Sequence, residues 1–405
     1  MTNLPQGWEV KKLGEIGEIV TGSTPSKSNL DFYGKDYPFF KPSDFEQGYF
    51  LENAGDNLSK LGFDKARQLP PKTILVVCIG SLGKVALTRV IGSCNQQINA
   101  IIPHKNIIAE YIYYYCISSK FQSILFSKAP QTTLAILNKT EFSKLEIIYP
   151  KDIKEQERIV GILDESFAKI DESIKILEQN LLNLDELMQS ALQKAFNPLK
   201  DNAKENYKLP QGWEWKSLGE IGEIITGTTP SKNNPNFYGN EYPLFKPSDL
   251  NGDMIIKYAS DNLSKLGFDN ARNLPKDTIL VVCIGASIGK VGLSGVNGSC
   301  NQQINAIIPN SAFTSKYLFF VCLSNYFQEI LKNNASQTTL SIINKTEFSK
   351  LQIPLPPIKE QEQITSHLDE LSSHVKNLKQ NYQAQIKDLQ ELKNSLLDKA
   401  FKGNL

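Results

Sequence analysis

The chain has 405 residues, 40% of them hydrophobic, and a formal net charge of +1. That length allows two or three domains with real cores, and the near-zero charge excludes a uniformly basic nucleic-acid binder, because phosphate contacts would need lysines concentrated locally. No apolar run is long enough to span a bilayer, and Met1–Trp8 lacks the basic start and apolar core of a secretory signal, so a cytoplasmic protein is expected.

In chain order, Pro5, Gly7, Gly22, Pro25, Gly34, Pro38 and Pro42 punctuate the first stretch as turns. Ile74–Ile79, stopped by Gly80, reads as a buried strand, and Gln97–Ile102, stopped by Pro103, as another. Ala109–Phe126 has helical spacing, and Thr140–Leu145 reads as a short helix with Thr140 as its cap. From about Lys154 to Phe196, apolar residues recur in steps of four and three: Leu163, Phe167, Ile170, Ile174, Leu177, Leu181, Leu184, Met188, Ala191 and Ala195. This is a heptad seam on a helix roughly 60 Å long, and it needs a mate. The polar segment Asn197–Lys208 (NPLKDNAKENYK) is a linker.

The chain then repeats itself. Leu209–Leu250 matches Leu4–Phe45 at about three quarters of positions, with a period of about 205 residues. DNLSKLGFD, ILVVCIG, SCNQQINAIIP and NKTEFSKL each occur twice. The second copy ends on Lys359–Phe401, with Ile364, Leu368, Leu371, Val375, Leu378, Tyr382, Ile386, Leu389, Leu392 and Leu396 on its stripe. Two consecutive steps of four put a phase slip near Tyr382. Both helices open with KEQE and close on Lys-Ala-Phe, so they are expected to pair as an intramolecular coiled coil. The six cysteines are three repeat-equivalent pairs without C-x-x-C, read as reduced buried thiols. The predicted divisions are 1–150, 151–198, 199–208, 209–355 and 356–405.

Nothing here is arranged for catalysis. His104, His367 and His374 have no histidine at their repeat-equivalent positions, and no Ser/His/Asp, Cys/His or metal-ligand spacing is present. Gly285–Lys290 (GASIGK) imitates a phosphate loop but is one residue short, and Val291 replaces the magnesium-holding Ser/Thr. The first copy, Gly80–Lys84, is shorter still, so a tight turn at a strand end is expected. Asn234–Phe237 (NPNF) approaches an adenine methyltransferase signature, yet no glycine-rich cofactor loop accompanies it, and the first copy reads NLDF. Glu9-x-Lys11 and Glu214-x-Lys216 resemble the tail of a nuclease motif, but the first has no room for the preceding acid. The chain is expected not to be an enzyme by itself.

The polar residues are better suited to binding. The first copy offers Thr21, Ser23, Thr24, Ser26, Lys27, Lys41, Ser43, Lys84, Asn95, Gln96, Gln131, Thr132, Thr133 and Lys139. The second offers Thr226, Thr228, Thr229, Ser231, Lys232, Lys246, Ser248, Lys290, Asn301, Gln302, Gln337, Thr338, Thr339 and Lys345. Asn and Gln can grip adenine edges, while Ser, Thr and Lys suit phosphates and guanine. The same residue types also build turns and caps. Tyr33, Tyr37, Tyr238 and Tyr242, beside lysine-bearing loops, add support for a nucleic-acid face.

With these strings in their order, the chain resembles the specificity subunit of type I restriction–modification enzymes over essentially its whole length. The resemblance rests on LPQGW followed by LGEI (Leu4–Ile16, Leu209–Ile221), on the strand and GK turn (Ile74–Lys84, Ile279–Lys290), and on NKTEF leading to EQ at each long helix. It implies an α+β fold: two similar mixed α/β target recognition domains, separated by two long helices that form an antiparallel intramolecular coiled coil. It implies double-stranded DNA as ligand, with each domain reading one half of a split site. It also implies two methyltransferase subunits and restriction subunits as partners. No cofactor is expected on this chain; S-adenosylmethionine, ATP and magnesium are expected on those partners. The likeness of the copies implies a nearly palindromic, interrupted target. If the half-sites differ, Glu46–Gly55, Leu87–Gly92 and His104–Pro130, with their counterparts, are the first places to look. The competing reading is a two-headed coiled-coil adaptor that binds no DNA.

Overall fold

The computed structural model describes residues 4–129, 135–196, 209–311, 313–336 and 341–405. The first copy runs β1 (Trp8–Lys12), α1 (Leu13–Ile16), β2 (Gly17–Thr21), β3 (Tyr33–Phe40), β4 (Phe50–Leu51), β5 (Asp56–Leu58), α2 (Lys60–Lys65), β6 (Ile74–Val77), β7 (Val85–Thr88), β8 (Ser93–Cys94), β9 (Ile98–Pro103), α3 (Ala109–Ile117), α4 (Ser119–Lys128), α5 (Lys139–Ser143), β10 (Glu146–Pro150) and the long α6 (Ile153–Phe196). The second copy repeats this as β11 (Glu214–Ser217), α7 (Leu218–Ile221), β12 (Gly222–Thr226), β13 (Tyr238–Phe245), β14 (Ile255–Ile256), β15 (Asp261–Leu263), α8 (Lys265–Asp269), β16 (Ile279–Val282), β17 (Val291–Ser294), β18 (Ser299–Cys300), β19 (Ile304–Pro309), α9 (Ser315–Leu323), α10 (Asn325–Asn333), α11 (Lys345–Lys350), β20 (Gln352–Leu355) and α12 (Ile358–Ala400).

Each head holds a five-stranded sheet, a three-stranded sheet and a two-stranded ribbon. In the first head the orders are β2-β9-β6-β7-β4, β5-β3-β8 and β1-β10, and the second head matches strand for strand. The continuous apolar run ILVV follows from two covered faces. Ile74 and Val76 join the cluster with Tyr111 and Ile112, whereas Leu75 and Val77 pack with Phe40, Phe45 and Leu51.

The chain divides into two compact units, 1–177 with 383–405, and 178–382. Each unit therefore contains one head and a part of both long helices. Within the first, Arg158 Nη2 donates to the Leu405 carbonyl at 2.9 Å and Asp171 pairs with Lys393, so the two helix segments run antiparallel. Phe401 is buried with its ring edge-on to Tyr111 and Tyr115. Within the second, Asp185 pairs with Lys379, Leu187–Ala195 share a groove with Gln363–Leu371, and Phe196 is buried edge-on to Tyr317. The recurring Lys-Ala-Phe is thus a plug that completes a head's core.

The glutamine of KEQE is also structural. Gln156 is fully buried; its Oε1 accepts the Ile108 N–H at 2.9 Å and its Nε2 donates to the Pro150 carbonyl at 2.9 Å. Gln361 repeats both bonds with Thr314 and Pro356 at 3.1 and 3.0 Å. An unmet buried amide is costly, so each glutamine fixes where the helix leaves its head.

Three expectations need correction. The predicted helix Ala109–Phe126 is two helices, because Ser118 is extended and its Oγ accepts the Phe121 N–H to cap α4. The cap of α5 is Asn138, not Thr140: its Oδ1 accepts the Glu141 N–H at 2.9 Å. The phase slip is not at Tyr382 but earlier on the stripe, at Leu371, Val375 and Lys379. Leu378 and Leu392 are exposed, and the stripe runs through Lys379 and Lys393 instead, with side chains 30% and 22% exposed. A lysine can hold a seam position when its stem lies in the groove and its ammonium meets an acid at the rim. Lys393 also lies 4.8 Å from the Phe167 ring centroid. All six cysteines are free and buried, and burial pushes the Cys78 and Cys283 thiols up to about 12. Among the described residues, no helix is long and apolar enough to cross a membrane and no group of side chains could hold a metal ion.

Candidate nucleic-acid interface

Sheet topology decides where the candidate residues go. β2 and β6 are both antiparallel to β9, and β6 is antiparallel to β7. The carboxyl ends of β2 and β6 and the amino ends of β9 and β7 therefore share one edge of the sheet. The loop from Thr21 leaves β2 there, Lys84 precedes β7, and Asn95 and Gln96 precede β9. Phe40 pairs with Cys94 at the end of β3, and the Phe40 carbonyl accepts the Asn95 N–H at 3.1 Å, which brings Lys41 to the same edge. Leu137 N donates to the Cys78 carbonyl at 2.9 Å, which delivers Lys139. Thr21, Ser23, Thr24, Lys41, Lys84, Asn95, Gln96 and Lys139 thus arrive at one edge, and the second copy repeats the arrangement. Gln131, Thr132, Thr133, Gln337, Thr338 and Thr339, and the linker 199–208, lie outside the described residues.

The loop after β2 is held tightly. A Cβ on Gly22 would lie 2.1 Å from the Asn95 carbonyl, so only glycine lets the loop cross the β8–β9 turn; Gly227 meets Asn301 in the same way at 2.2 Å. Thr21 Oγ1 donates to Asn99 Oδ1 at 2.6 Å, as Thr226 does to Asn305 at 2.6 Å. Thr24 Oγ1 donates to Gln96 Oε1 at 2.5 Å, and Thr229 to Gln302 at 2.8 Å. Thr24 and Gln96 are exposed, as are Ser26, Lys27, Ser43 and Lys139. Thr229, Ser231, Lys232, Ser248, Gln302 and Lys345 are exposed in the second copy.

Other candidates are committed to the scaffold. Asn95 and Asn301 are buried; each accepts the N–H of the glutamine two residues on, at 3.1 Å, and donates to its side chain. Lys41 pairs with Asp56, and Lys246 with Asp261, whose carboxyl is held below its usual range by that ammonium. Lys84 is 3.4 Å from Glu46, and Lys290 donates to the Pro247 carbonyl at 3.3 Å. Gly80, Gly83, Gly285 and Gly289 all have positive φ, and Gly83 N donates to the Val77 carbonyl at 2.9 Å, which makes the GK motif a turn. The tyrosines expected on the face build the loops instead. Tyr33 and Tyr238 donate to the Pro25 and Pro230 carbonyls, while Tyr37 and Tyr242 stack on Phe63 and Phe268 at 4.0 Å.

Sequence reasoning missed Arg67 and Arg272. Both are exposed, and each Nη1 donates to the carbonyl of the threonine that ends β2 or β12, at 2.5 and 2.6 Å. The Ser23 and Thr228 hydroxyls accept the Arg67 and Arg272 N–H groups at 3.3 and 3.2 Å. The usable signal was that, of four arginines, only these two recur at equivalent repeat positions.

Comparison with known proteins accounts for the duplication. The family model for the type I restriction modification DNA specificity domain matches twice, over residues 5–182 and 210–388. The chain belongs to this family of DNA specificity proteins. The HindI specificity subunit of Haemophilus influenzae is 37% identical over 191 residues, which is 46% of this chain and 42% of that one. The MjaIX specificity subunit of Methanocaldococcus jannaschii is 25% identical over 99% of this chain and 94% of its own. The StySPI specificity subunit of Salmonella potsdam is 24% identical over 99% and 90%. A chain from a solved type I R-M system superposes with a TM-score of 0.81 at 21% identity, covering 100% of both chains. The HsdS subunit from Thermoanaerobacter tengcongensis superposes at 0.57 with 21% identity, covering 100% of this chain and 98% of that one. These structures share the fold.

Proposed function

We propose that this chain is the non-catalytic, sequence-reading subunit of a type I restriction–modification complex, working in the cytoplasm on double-stranded DNA. The observation that carries this reading is the convergence of donors and acceptors on one sheet edge in each copy. Backbone-anchored loops there hold threonine and glutamine pairs with exposed lysines alongside. Such an edge supplies both halves of recognition, since cations meet phosphates while forked polar side chains meet base edges.

Each head reads one half of a bipartite site, and the helix pair docks two methyltransferase subunits. Those subunits bring S-adenosylmethionine and carry out the methylation, while restriction subunits bring ATP and magnesium. This chain's own residues bind, position and discriminate.

The test is co-expression of the chain with its cognate methyltransferase subunit, followed by genome-wide mapping of methylated adenines. One interrupted motif, together with duplex binding that weakens steeply as salt rises, is the expected result. Methylation without a motif, or none at all from an assembled complex, would rule the reading out.

A further inference from the structure

Arg67 and Arg272 stand apart from the other two arginines of the chain. Arg89 pairs with Glu52 at 3.0 Å and Arg158 with Glu155 at 2.7 Å. Among the described residues neither Arg67 nor Arg272 is in an ion pair, and both are exposed at the polar edge. One guanidinium N–H is tied to a threonine carbonyl, which aims the group and leaves the rest of its five-donor fork open. A guanidinium on a fixed tether has already lost much of the freedom that binding would otherwise cost.

The neighbours of each arginine are built for the same task. The Ser93 and Ser299 hydroxyls donate to the Arg67 and Arg272 carbonyls at 2.8 Å, which locks each arginine's backbone to the β8 or β18 turn. Ser23 and Thr228, which accept the arginine N–H groups, are each followed by the threonine that donates to the exposed Gln96 or Gln302. An anchored arginine beside an anchored glutamine matches the pairing logic of the major groove: arginine forks onto guanine O6 and N7, glutamine onto adenine N6 and N7.

We propose that Arg67 and Arg272 are the guanine-reading residues of the two heads, and that both half-sites therefore carry the same guanine at the same place. This rests on the DNA-reading function above and goes one step further, to the base and the side chain. Much of the segments expected to separate the half-sites lies elsewhere: β4, the end of β7 and α3 pack with one another and with α6, as the Tyr49–Tyr113 stack at 4.1 Å and the edge-on Tyr114–Phe167 pair show, while Glu46 and Gln122 reach the GK turn. Much of the divergence between the heads falls on packing, while the arginine, threonine and glutamine bonds of the edge recur.

The experiment is methylome mapping with the wild-type chain, Arg67→Ala, Arg67→Lys and Arg272→Ala, each co-expressed with the methyltransferase subunit. The wild type should give a motif whose two halves share a guanine. Arg67→Ala should relax one G·C position in one half, with about ten- to a hundred-fold lower discrimination there, and leave the other half intact. Arg272→Ala should do the converse. Arg67→Lys should keep methylation while relaxing the same position, because an ammonium lacks the fork. The intact half of the motif reports in each case that the complex has assembled. Wild-type half-sites without a shared guanine, or Arg67 variants that keep the full motif, would overturn the proposal while leaving DNA reading in place. Loss of all methylation in both Arg67 variants would assign Arg67 to folding and would also overturn it. A wild type without any motif would defeat the underlying function itself.

Discussion

The two units solve the seating of a head on its helices with different chemistry. In the first, the Tyr114 hydroxyl donates to Asp164 on α6 at 2.5 Å. In the second, position 320 is phenylalanine, and the equivalent Asp369 on α12 is met by Lys316. Lys72 and Glu110 pair at 3.2 Å in the first unit, while their equivalents, Asp277 and Lys316, carry exchanged signs. Arg89 lies 3.7 Å from the Phe50 ring centroid and pairs with Glu52; the second unit has Gly295, Ile255 and Lys257 there. Lys376 meets Asp253 at 2.6 Å in the second unit, where the first has Asp171 and Gly48. At the polar edge, by contrast, the threonine, asparagine, glutamine and arginine hydrogen bonds recur in both copies, and lysine partners differ, as at Lys84 and Lys290. Residues in contact change together, because each one's replacement alters what its neighbour requires.

Several changes would break this comparison, the strongest first. Phe401→Ala should cost the first unit about 3–5 kcal/mol, and Phe196→Ala the second unit a similar amount, because each empties an aromatic plug from a closed core. Hydrogen exchange followed peptide by peptide should rise in one unit for each variant; an equal rise in both would mean the plugs are not unit-specific. Next come Gln156→Leu and Gln361→Leu, each expected to cost about 1–3 kcal/mol by leaving a backbone N–H and a carbonyl unpaired. Denaturant unfolding would measure it, and a neutral result would remove the glutamine from its place as the helix-exit lock.

Smaller effects sharpen the picture. Lys393→Ala should destabilise the first unit by about 1 kcal/mol and Lys379→Ala the second by less, since Lys393 adds the Phe167 ring to its ion pair. Thermal melts of the two variants would rank them, and a reversed order would refute the assignment. The least effect belongs to Glu9, whose carboxyl is held low first by the Tyr149 hydroxyl at 2.5 Å; the second unit has Leu355 at that place. A depressed folded pKa gives stability that is full above the ordinary value of 4.5 and lost as pH falls through the folded value. Glu9→Gln should therefore flatten the acid side of the first unit's stability profile and leave the second unit's unchanged.

Much of this was legible in the residues. The duplication, the long helices and the Lys-Ala-Phe endings rest on periodicity and repetition, which are local properties of sequence. The breaks were less so. Ser118 has the composition of a helical residue, and only tertiary packing makes it a cap; Asn138 and Thr140 are both good cap residues, and the fold selects between them. Seam lysines defeat a pattern search that equates burial with apolarity, which is why Leu378 and Leu392 were preferred to Lys379 and Lys393. The polar loops were found by composition, but their convergence on one edge came from strand order, which no single stretch of sequence encodes. Arg67 was missed because a lone exposed arginine looks ordinary until its repeat partner and its missing counter-ion are seen together.

The first unit is written in two pieces, 1–177 and 383–405, and Phe401 closes its core. During synthesis, the head made first has to wait with an open core while the second, contiguous unit emerges behind it. Its completion comes only when residues 383–405 clear the ribosome. Truncated products therefore carry an unfinished first head, and a chain that stops early cannot present a full pair of readers.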